Sequence, residues 1–302
     1  MTRVTVFGAS GVQGAAQVTA LVKGGHHPIA VSRSLKPLKI DGKDVETCAA
    51  DFSNSNTLES AVKDAEVIFL NLPSTSFQPA EPTIAAARAV GEVAKKTPSV
   101  KLIVFNTSMP VPDESKNIEA QDHRRIMRDL LRGMGLPLIS VQPVCFLDNL
   151  LEGWAWPPIR DRSTLVYCHK PTLDVSWISL DNLAQIMIAC ITRPDLAGRN
   201  FAVGGPETVR LPQLAEKLSR GWNKDLKHEF QTVEDFCEKI GAAMRERSNI
   251  DADVLVEQMY RAYRWYNDAP EEPFKIDMGP VLQELPAEMV GIEEWARRHN
   301  PF

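Results

Sequence analysis

Short apolar, largely β-branched runs alternate with amphipathic segments through the first half of the chain. The predicted strands are Thr2–Phe7, Pro28–Ser32, Val45–Ala49, Val67–Leu70, Leu102–Phe105 and Leu138–Gln142. Helical periodicity covers Gln13–Gly24, Thr57–Lys63, Pro79–Lys96 and Asn117–Gly133. Strands that alternate with helices form βαβ units with right-handed crossovers. The pattern therefore predicts an α/β fold with a doubly wound parallel sheet, whose ligands lie across the carboxyl ends of the strands.

This alternation stops after residue 150. The aromatic and proline-rich segment Gly153–Pro158 predicts a loop, and Asp174–Ile178 and Phe201–Val203 read as short strands. Asp181 is the expected N-cap of an apolar helix over Asn182–Ile191. The pattern from 211 to 266 is mostly helical. We expect a sheet domain over 1–150 and a smaller mixed, partly helical lobe over 151–302, with some segments of that lobe returning to the sheet.

Composition excludes several classes of protein. The 302 residues are 44% hydrophobic, and 34 basic against 39 acidic residues give a net charge of −5. Without a long basic run, there is no electrostatic footprint for nucleic acid. No apolar stretch approaches the roughly 20 residues of a bilayer span, and the first residues do not resemble a signal peptide. The sequence predicts a cytoplasmic protein without a membrane partner. No spacing of His or Cys residues predicts a metal site.

A glycine-rich turn follows the first predicted strand directly. It comprises Gly8, Ser10, Gly11, Val12, Gln13 and Gly14. In such turns one glycine permits the tight bend, one lets the chain approach a pyrophosphate, and one lets the new helix press against the strand. The phosphates then lie at a helix N-terminus. The position of the turn favours a dinucleotide site of the Rossmann type over an ordinary, tightly packed strand–turn–helix.

The end of the second strand indicates which nucleotide binds. A carboxylate commonly occupies this point and binds the ribose 2′-hydroxyl. Here the strand ends in Ser32, Arg33 and Ser34, with Lys36 close by, so a planar cation and hydroxyl donors replace the acid. We therefore predict NADP(H) as the cofactor, with Arg33 on the 2′-phosphate. The alternative is a solvated basic loop.

The ends of later strands supply the other candidate cofactor contacts. Asp51 and Phe52 follow the third strand, where the adenine is expected, although Asp51 could equally cap the next turn. By position, the fourth strand leads into the ribose and diphosphate contacts Asn71, Leu72 and Pro73, and the fifth into Asn106, Thr107 and Ser108 near the nicotinamide. Ser108 or Thr107 could bind a substrate oxygen or merely cap the strand.

These residues together resemble the atypical short-chain dehydrogenase/reductases of the NmrA-like group. The matching segments are Gly8–Gly14, Arg33, Ala50–Phe52, Leu58–Ala61, Val67–Leu70, Phe105–Ser108, Gly135–Pro137, Gln142–Asn149, Asp174–Ile178 and Gly204–Glu207. The resemblance covers most of the chain and is weakest between about residues 220 and 280. It implies an NADP(H)-binding domain, a smaller substrate-binding lobe and a cleft between them. It also places Pro143, Val144 and Phe146 beside the nicotinamide.

Membership of this group leaves the chemistry open, because it includes reductases, quinone oxidoreductases and redox-sensing regulators. The Tyr-x-x-x-Lys pair of ordinary short-chain dehydrogenases is absent, since none of the four tyrosines has a lysine four residues later. Where many atypical reductases carry a lysine, this chain has Arg124, preceded by His123. Arg124 could polarise a carbonyl or hold an anion, and His123 could supply a proton. The alternative is a solvated, polar start of a helix.

Aromatic residues gather at the start of the second half. Trp154, Trp156 and Tyr167 suit a flat, hydrophobic substrate, with Asn149 beside them; the alternative is core packing. The main hypothesis is an NADP(H)-dependent oxidoreductase acting on an apolar, aromatic carbonyl, imine, enone or quinone. The second is a regulator that binds NADP(H) and signals to a protein partner. The third is an NADP(H)-assisted cyclase.

Overall fold

The computed structural model describes residues 1–34, 37–76, 78–245 and 251–302, so Lys36 lies outside the described residues. The strands are β1 Arg3–Phe7, β2 His27–Ser32, β3 Leu38–Ile40, β4 Lys43–Ala49, β5 Val67–Asn71, β6 Leu102–Asn106, β7 Leu138–Pro143, β8 Thr164–Tyr167, β9 Asn200–Val203 and β10 Lys227–Phe230. The helices are α1 Val12–Lys23, α2 Ser55–Val62, α3 Glu81–Lys96, α4 Glu119–Gly133, α5 Trp156–Arg162, α6 Leu180–Cys190, α7 Leu211–Trp222, α8 Val233–Arg245, α9 Ala252–Asp268, α10 Met278–Glu284 and α11 Ile292–Arg298. Short 3-10 helices cover Leu147–Leu151 and Pro194–Leu196.

Eight strands form the central sheet in the order β3-β4-β2-β1-β5-β6-β7-β9. All neighbouring pairs are parallel except β3 with β4. The order reverses direction at β1, so the loops after β1 and β5 diverge and leave a crevice at their carboxyl ends. The predicted α/β fold with a doubly wound parallel sheet is confirmed.

Both faces of the sheet are buried, and the side chains alternate between them as strand geometry requires. In β5, Phe69 faces one apolar core, and Ile68 and Leu70 face the other. The first core contains residues of α1 and α6, which pack together, and the second contains residues of α2, α3 and α4. The six strands predicted for the first half all occur, with bounds shifted by at most two residues.

The second half departs from the predicted pattern in several places. The segment Asp174–Ile178 is not a strand: Val175 and Ile178 make isolated bridges to different neighbours, Val209 and Phe146. Ser179, rather than Asp181, caps α6, because its side chain accepts a hydrogen bond from the Asn182 N–H at 3.1 Å.

The proline-rich segment is only partly a loop. Trp156 begins α5, and Pro157 and Pro158 are accommodated in its first turn, where a backbone donor is not needed. β10 interrupts the helical region and pairs in parallel with β8 as a separate two-stranded sheet. β9 joins the main sheet beside β7, so part of the second half does return to it. The functional division at residue 150 stays a prediction.

Two hydrogen bonds between α4 and α9 connect the two halves of the chain. α9 lies against the start of α4, where the Glu119 N–H donates to Oε1 of Gln258 at 3.0 Å. Two residues further along α4, the Gln121 amide donates to the hydroxyl of Tyr266 at 3.3 Å. In the part of the chain that the structure describes, no helix has the length and apolarity needed to cross a bilayer.

Candidate functional site

The glycine turn after β1 has the geometry of a phosphate cradle. Gly8 has a φ of +74°, and a Cβ at Gly14 would lie 2.3 Å from the carbonyl oxygen of Gly8. Gly8 therefore makes the bend and Gly14 permits the close approach of α1. Gly11 is exposed at the N-cap of α1, whose first turn has neither an acid nor a side-chain cap. The unshielded N-terminus of this 12-residue helix fits a pyrophosphate.

A first cleft of about 320 Å³ opens from this turn. The candidate cofactor residues that line it are Gly8, Ser10, Gly11, Val12, Gln13, Gly14, Ser32, Arg33, Phe52, Asn71, Leu72 and Pro73, together with Ser108. The structure thus brings residues from the ends of five strands to one crevice. This arrangement fits a dinucleotide that runs from Arg33 to Ser108.

Two residues predicted for the adenosine part of the cofactor, Asp51 and Ser34, lie outside the lining of this cleft. Asp51 is exposed and does not line the cleft, because its Oδ1 accepts hydrogen bonds from the N–H and the hydroxyl of Ser53, at 2.8 and 2.6 Å. These bonds lower the pKa of the Asp51 carboxyl. Asp51 therefore shapes the turn before α2, which was the alternative interpretation. The Ser32 hydroxyl donates to the carbonyl oxygen of Ser34, and Ser34 also lies outside the lining.

A chain of side-chain amides crosses the floor of the crevice. Asn106 donates through Nδ2 to Oδ1 of Asn71 at 2.8 Å and to Oε1 of Gln13 at 2.5 Å. Asn71 donates to Oε1 of Gln17 at 2.7 Å, and Gln17 returns a bond of 2.9 Å. The Ser108 hydroxyl donates to Oε1 of Gln13 at 3.1 Å. This amide network, formed by Gln13, Gln17, Asn71, Asn106 and Ser108, ties α1 to the ends of β5 and β6.

Ser108 stands where the first cleft meets a second one. The second cleft has a volume of about 460 Å³ and shares Gln13, Leu72 and Ser108 with the first. Ser108 has a φ of +62°, a strained conformation for a residue other than glycine. Its N–H donates to Oδ1 of Asn106 at 3.0 Å, which holds this conformation. The hydroxyl is thereby kept at the junction of the two clefts.

Arg124 lines the second cleft from α4 and is almost fully buried. Its Nη2 donates to the carbonyl oxygens of Leu72 and Pro73, at 3.2 and 2.9 Å. Nε and Nη1 have no hydrogen-bond partner among the described residues. Burial lowers the pKa of the guanidinium to about 10, so it stays charged at neutral pH. The cleft is therefore bordered by a buried positive charge.

Several other candidates lie outside both linings. His123 precedes Arg124 and points about 100° away around the helix. Thr107 is buried, and its hydroxyl donates to the carbonyl oxygen of Met109 at 2.6 Å, so it stabilises the loop after β6. Pro143 and Val144 are buried at the end of β7, whereas Phe146 lines the second cleft. Neither cleft therefore places His123 where it could donate a proton directly to a bound substrate.

The aromatic residues chosen from the sequence pack into the second lobe instead. The Trp154 ring lies 4.8 Å from that of Tyr167 and 4.6 Å from that of Phe236, and Trp156 contacts Phe302 at 5.6 Å. None of the three chosen residues lines either cleft. Core packing, the alternative interpretation, describes them, because a large ring gains most where other rings cover it. Asn149 does line the second cleft.

The second cleft is roofed by α9, which sequence reasoning did not assign to the site. The residues of α9 that line it are Leu255, Gln258, Met259, Ala262, Tyr263 and Tyr266. Their spacing of three and four marks one helix face, and that pattern is the signal that could have found them. Burial raises the pKa of Tyr266 to about 12 and that of Tyr263 well above its usual range, so both phenols stay protonated.

A model of the NmrA-like family matches residues 1–296. The chain belongs to the NmrA-like family. It is 26% identical over 229 residues to a (4-alkanoyl-5-oxo-2,5-dihydrofuran-3-yl)methyl phosphate reductase of Streptomyces griseus, covering 75% of this chain and 76% of that protein.

Solved structures share the fold of this NmrA-like chain. An NADPH-dependent quinone oxidoreductase from Escherichia coli, complexed with NADPH, has a TM-score of 0.71 at 17% identity, covering 99% of each chain. The negative transcriptional regulator NmrA in complex with NAD has a TM-score of 0.75 at 17% identity, covering 99% of this chain and 95% of that one. Proteins with this fold thus include both a reductase and a regulator, so the fold alone does not decide the function.

Proposed function

We propose that this NmrA-like protein is a cytoplasmic NADP(H)-dependent oxidoreductase that acts on an apolar, aromatic small molecule. The observation that carries the proposal is the junction of the two clefts at Gln13, Leu72 and Ser108. One cleft starts at the phosphate cradle and the other is roofed by the apolar face of α9. A cofactor in the first would meet a substrate in the second at that junction.

Different residues of the first cleft would bind different parts of the cofactor. The N-terminus of α1 and the backbone at Gly11 would hold the diphosphate, and Arg33 with Ser32 the 2′-phosphate. Phe52 would flank the adenine. The cofactor, when bound, supplies hydride chemistry. The protein contributes position and exclusion of water, which are large terms in reactions of this kind.

Protein groups at the junction can supply polarisation and protons. The Ser108 hydroxyl can donate to a substrate oxygen, because the amide network fixes its position. The phenols of Tyr263 and Tyr266 are protonated donors on the roof of the cleft. They take the place that we assigned to His123, which lies outside the lining. Apolar side chains such as Met259, Leu255 and Phe146 suit a flat substrate.

The direct test is NADPH oxidation, followed by absorbance, against a panel of aromatic quinones, imines and enones. We expect turnover with some members of the panel, and a loss of kcat in Ser108→Ala that is larger than any loss of NADPH affinity. Ser76→Ala is the matched control, because Ser76 lines the second cleft away from the junction. NADPH binding with no turnover across the whole panel would contradict the oxidoreductase proposal.

A second candidate is a regulator that senses NADP(H) and binds a protein partner. It is supported by the absence of a Tyr-x-x-x-Lys pair and by the likeness of the fold to that of NmrA. A partner retained with NADP⁺ and released with NADPH would support it. Equal affinity for the partner with and without nucleotide would remove it. The cyclase hypothesis calls for the same two clefts and stays a prediction.

A further inference from the structure

Resting on the proposed function, we propose that the substrate carries an anionic oxygen group, a carboxylate or a phosphate, which Arg124 binds at the inner end of the second cleft. The apolar part of the same molecule would then lie under α9. The proposed substrate therefore has a charged end in addition to the apolar, aromatic part that suits the rest of the cleft lining. This proposal rests on the surroundings of Arg124 and on the start of α4.

Arg124 is a buried charge without a counterion in the described structure. It is 1% exposed, its two bonds go to neutral carbonyl oxygens, and two of its nitrogens have no partner among the described residues. An unpaired buried charge is costly, so it persists where something else offsets the cost. An anion in the adjoining cleft would do so.

Arg128, one turn further along the same helix, is a buried arginine that does not line the cleft. Arg128 is 3% exposed and has two carboxylates beside it, with Asp113 at 2.9 Å and Asp129 at 2.8 Å. The half-buried Arg125 pairs with Asp122 at 2.8 Å. Arg124, which directly precedes Arg125, lines the cleft and has no acid beside it. Of the two fully buried arginines of α4, the one without a carboxylate beside it is therefore the one that borders the cavity.

The N-terminus of α4 adds donors at the same place. Ile118, Glu119 and Ala120 line the cleft, the N-cap residue Ile118 gives this 15-residue helix no side-chain cap, and of its first N–H groups that of Glu119 is bound by Gln258. The positive end of its dipole favours an anion. The buried hydroxyl of Thr75, also in the lining, has no partner within the described residues. Among the described lining residues Glu119 is the single acid, and it is exposed, so solvent screens it.

The residues that α9 contributes to the lining make the site amphiphilic. Met259, Ala262 and Tyr263 present apolar surface to the same cleft that Arg124 borders. A neutral aromatic ring could bind there alone, but it would leave Arg124 unneutralised. A ring that bears a carboxylate or a phosphate satisfies both the apolar and the charged part of the lining. The anion would also orient the ring with respect to Ser108, because Arg124 and Ser108 border the same cavity.

Calorimetry on the full chain saturated with NADP⁺ tests this directly. The probes are 2-naphthoate, 2-naphthyl phosphate and the neutral 2-naphthamide, which share one ring system. We expect at least one anion to bind roughly ten- to hundredfold more tightly than the amide, the range of a charge-assisted contact. The anion with the higher affinity identifies the source of the charge.

Three variants separate the role of Arg124 from general effects. Arg124→Gln should abolish the preference for the anion and leave the affinities for the amide and for NADPH unchanged. Arg124→Lys should restore part of the preference, because it restores the charge. Arg125→Gln is the matched control, since it removes one positive charge from the same helix outside the lining. Melting curves recorded alongside show whether each variant is folded.

The outcomes distinguish this proposal from the proposed function. Equal affinity of the wild-type protein for the three probes, or turnover of neutral aromatic substrates alone, would overturn the anion site and leave the oxidoreductase standing. Equal losses for NADPH and the anion in Arg124→Gln would assign Arg124 to the cofactor and overturn the proposal as well. If NADPH does not bind the folded wild-type protein, the proposed function itself fails, whatever the probes do.

Discussion

Asn106 at the end of β6 donates a hydrogen bond of 2.8 Å to the amide oxygen of Asn71, the residue paired with it at the end of β5. Asn71 also donates to the carbonyl oxygen of Phe7 at 2.9 Å, so the hydrogen-bond network extends to the end of β1. Three central strands are thereby connected at the edge where a ligand would bind. The amide network is a structural brace, and its members Gln13, Asn71 and Ser108 also line the first cleft.

Removing the centre of this network should destabilise the protein. We expect Asn71→Ala to lower the free energy of unfolding by about 1–3 kcal/mol, because it leaves the partners Gln17 and Asn106 with unmet bonds in a part-buried site. Urea denaturation measures the change. Asn56→Ala is the control, since Asn56 is exposed on α2, and it should change stability by less than about 0.5 kcal/mol. Equal effects would mean that the network contributes nothing.

The close packing of α1 on β1 depends on Gly14. A Cβ there would lie 2.3 Å from the carbonyl oxygen of Gly8, so Gly14→Ala should cost about 1–3 kcal/mol in the free energy of unfolding. At Gly133, in α4, a Cβ would meet nothing within 4 Å. Gly133→Ala should therefore be neutral or stabilise by up to about 1 kcal/mol. Thermal unfolding of the two variants, side by side, tests the assignment.

Substitution of Gly11 should abolish nucleotide binding with little effect on the free energy of unfolding. Its Cβ would make only an ordinary contact, 3.4 Å from the carbonyl oxygen of Gly8, so Gly11→Val should cost no more than about 1 kcal/mol of stability. The valine side chain would nevertheless occupy the space over the N-terminus of α1. We expect the binding of NADPH and NADH, measured by calorimetry, to be lost together. Retained binding of either nucleotide would refute the phosphate cradle.

Arg33 should distinguish the two nucleotides. It lines the first cleft at the end of β2, so Arg33→Ala should weaken NADPH roughly ten- to hundredfold and change NADH little, because NADH has no 2′-phosphate. Fluorescence titration with both nucleotides measures the ratio. Lys43→Ala removes an exposed charge from nearby β4 and controls for net charge. Equal weakening of both nucleotides by Arg33→Ala would show that it does not contact the 2′-phosphate.

The buried His169 should make stability depend on pH. Burial lowers its pKa from 6.5 to about 3, and its ring lies 4.6 Å from that of Tyr167 and 5.3 Å from that of Phe274. The folded state excludes a proton that the unfolded state binds below pH 6.5. The stability from neutral His169 is therefore complete above that pH and is lost as the pH falls from 6.5 toward 3.

Urea denaturation at pH 7.5 and pH 5 measures this loss, which should be about 2 kcal/mol for His169 alone. Other groups titrate over the same range, so the comparison is with His169→Phe, whose stability should fall by about 2 kcal/mol less between the two pH values. The exposed His228 gives the control variant His228→Gln, which should follow the wild type. Parallel pH profiles for the wild type and His169→Phe would contradict the assignment.

The sequence was most informative where short apolar runs alternated regularly with helical segments. The apolar runs identified all six strands of the first half, because both faces of a parallel sheet are buried and leave a continuous apolar signal. It was least informative after residue 150. There, β8 and β10 are four residues each and pair only with one another, so neither carries enough pattern to be recognised.

The phosphate cradle and Arg33 could be predicted from the sequence, because a glycine turn between a strand and a helix acts through its own backbone. The roles of Gln17 and Tyr266 became visible only after folding, whereas Arg124 was already a candidate in the sequence. Gln17 meets Asn71 across 54 positions, and Tyr266 meets Gln121 across 145. The missing counterion of Arg124 is likewise a property of its surroundings. Proximity between distant segments is set by how the helices pack on the sheet, and no pattern within one segment records it.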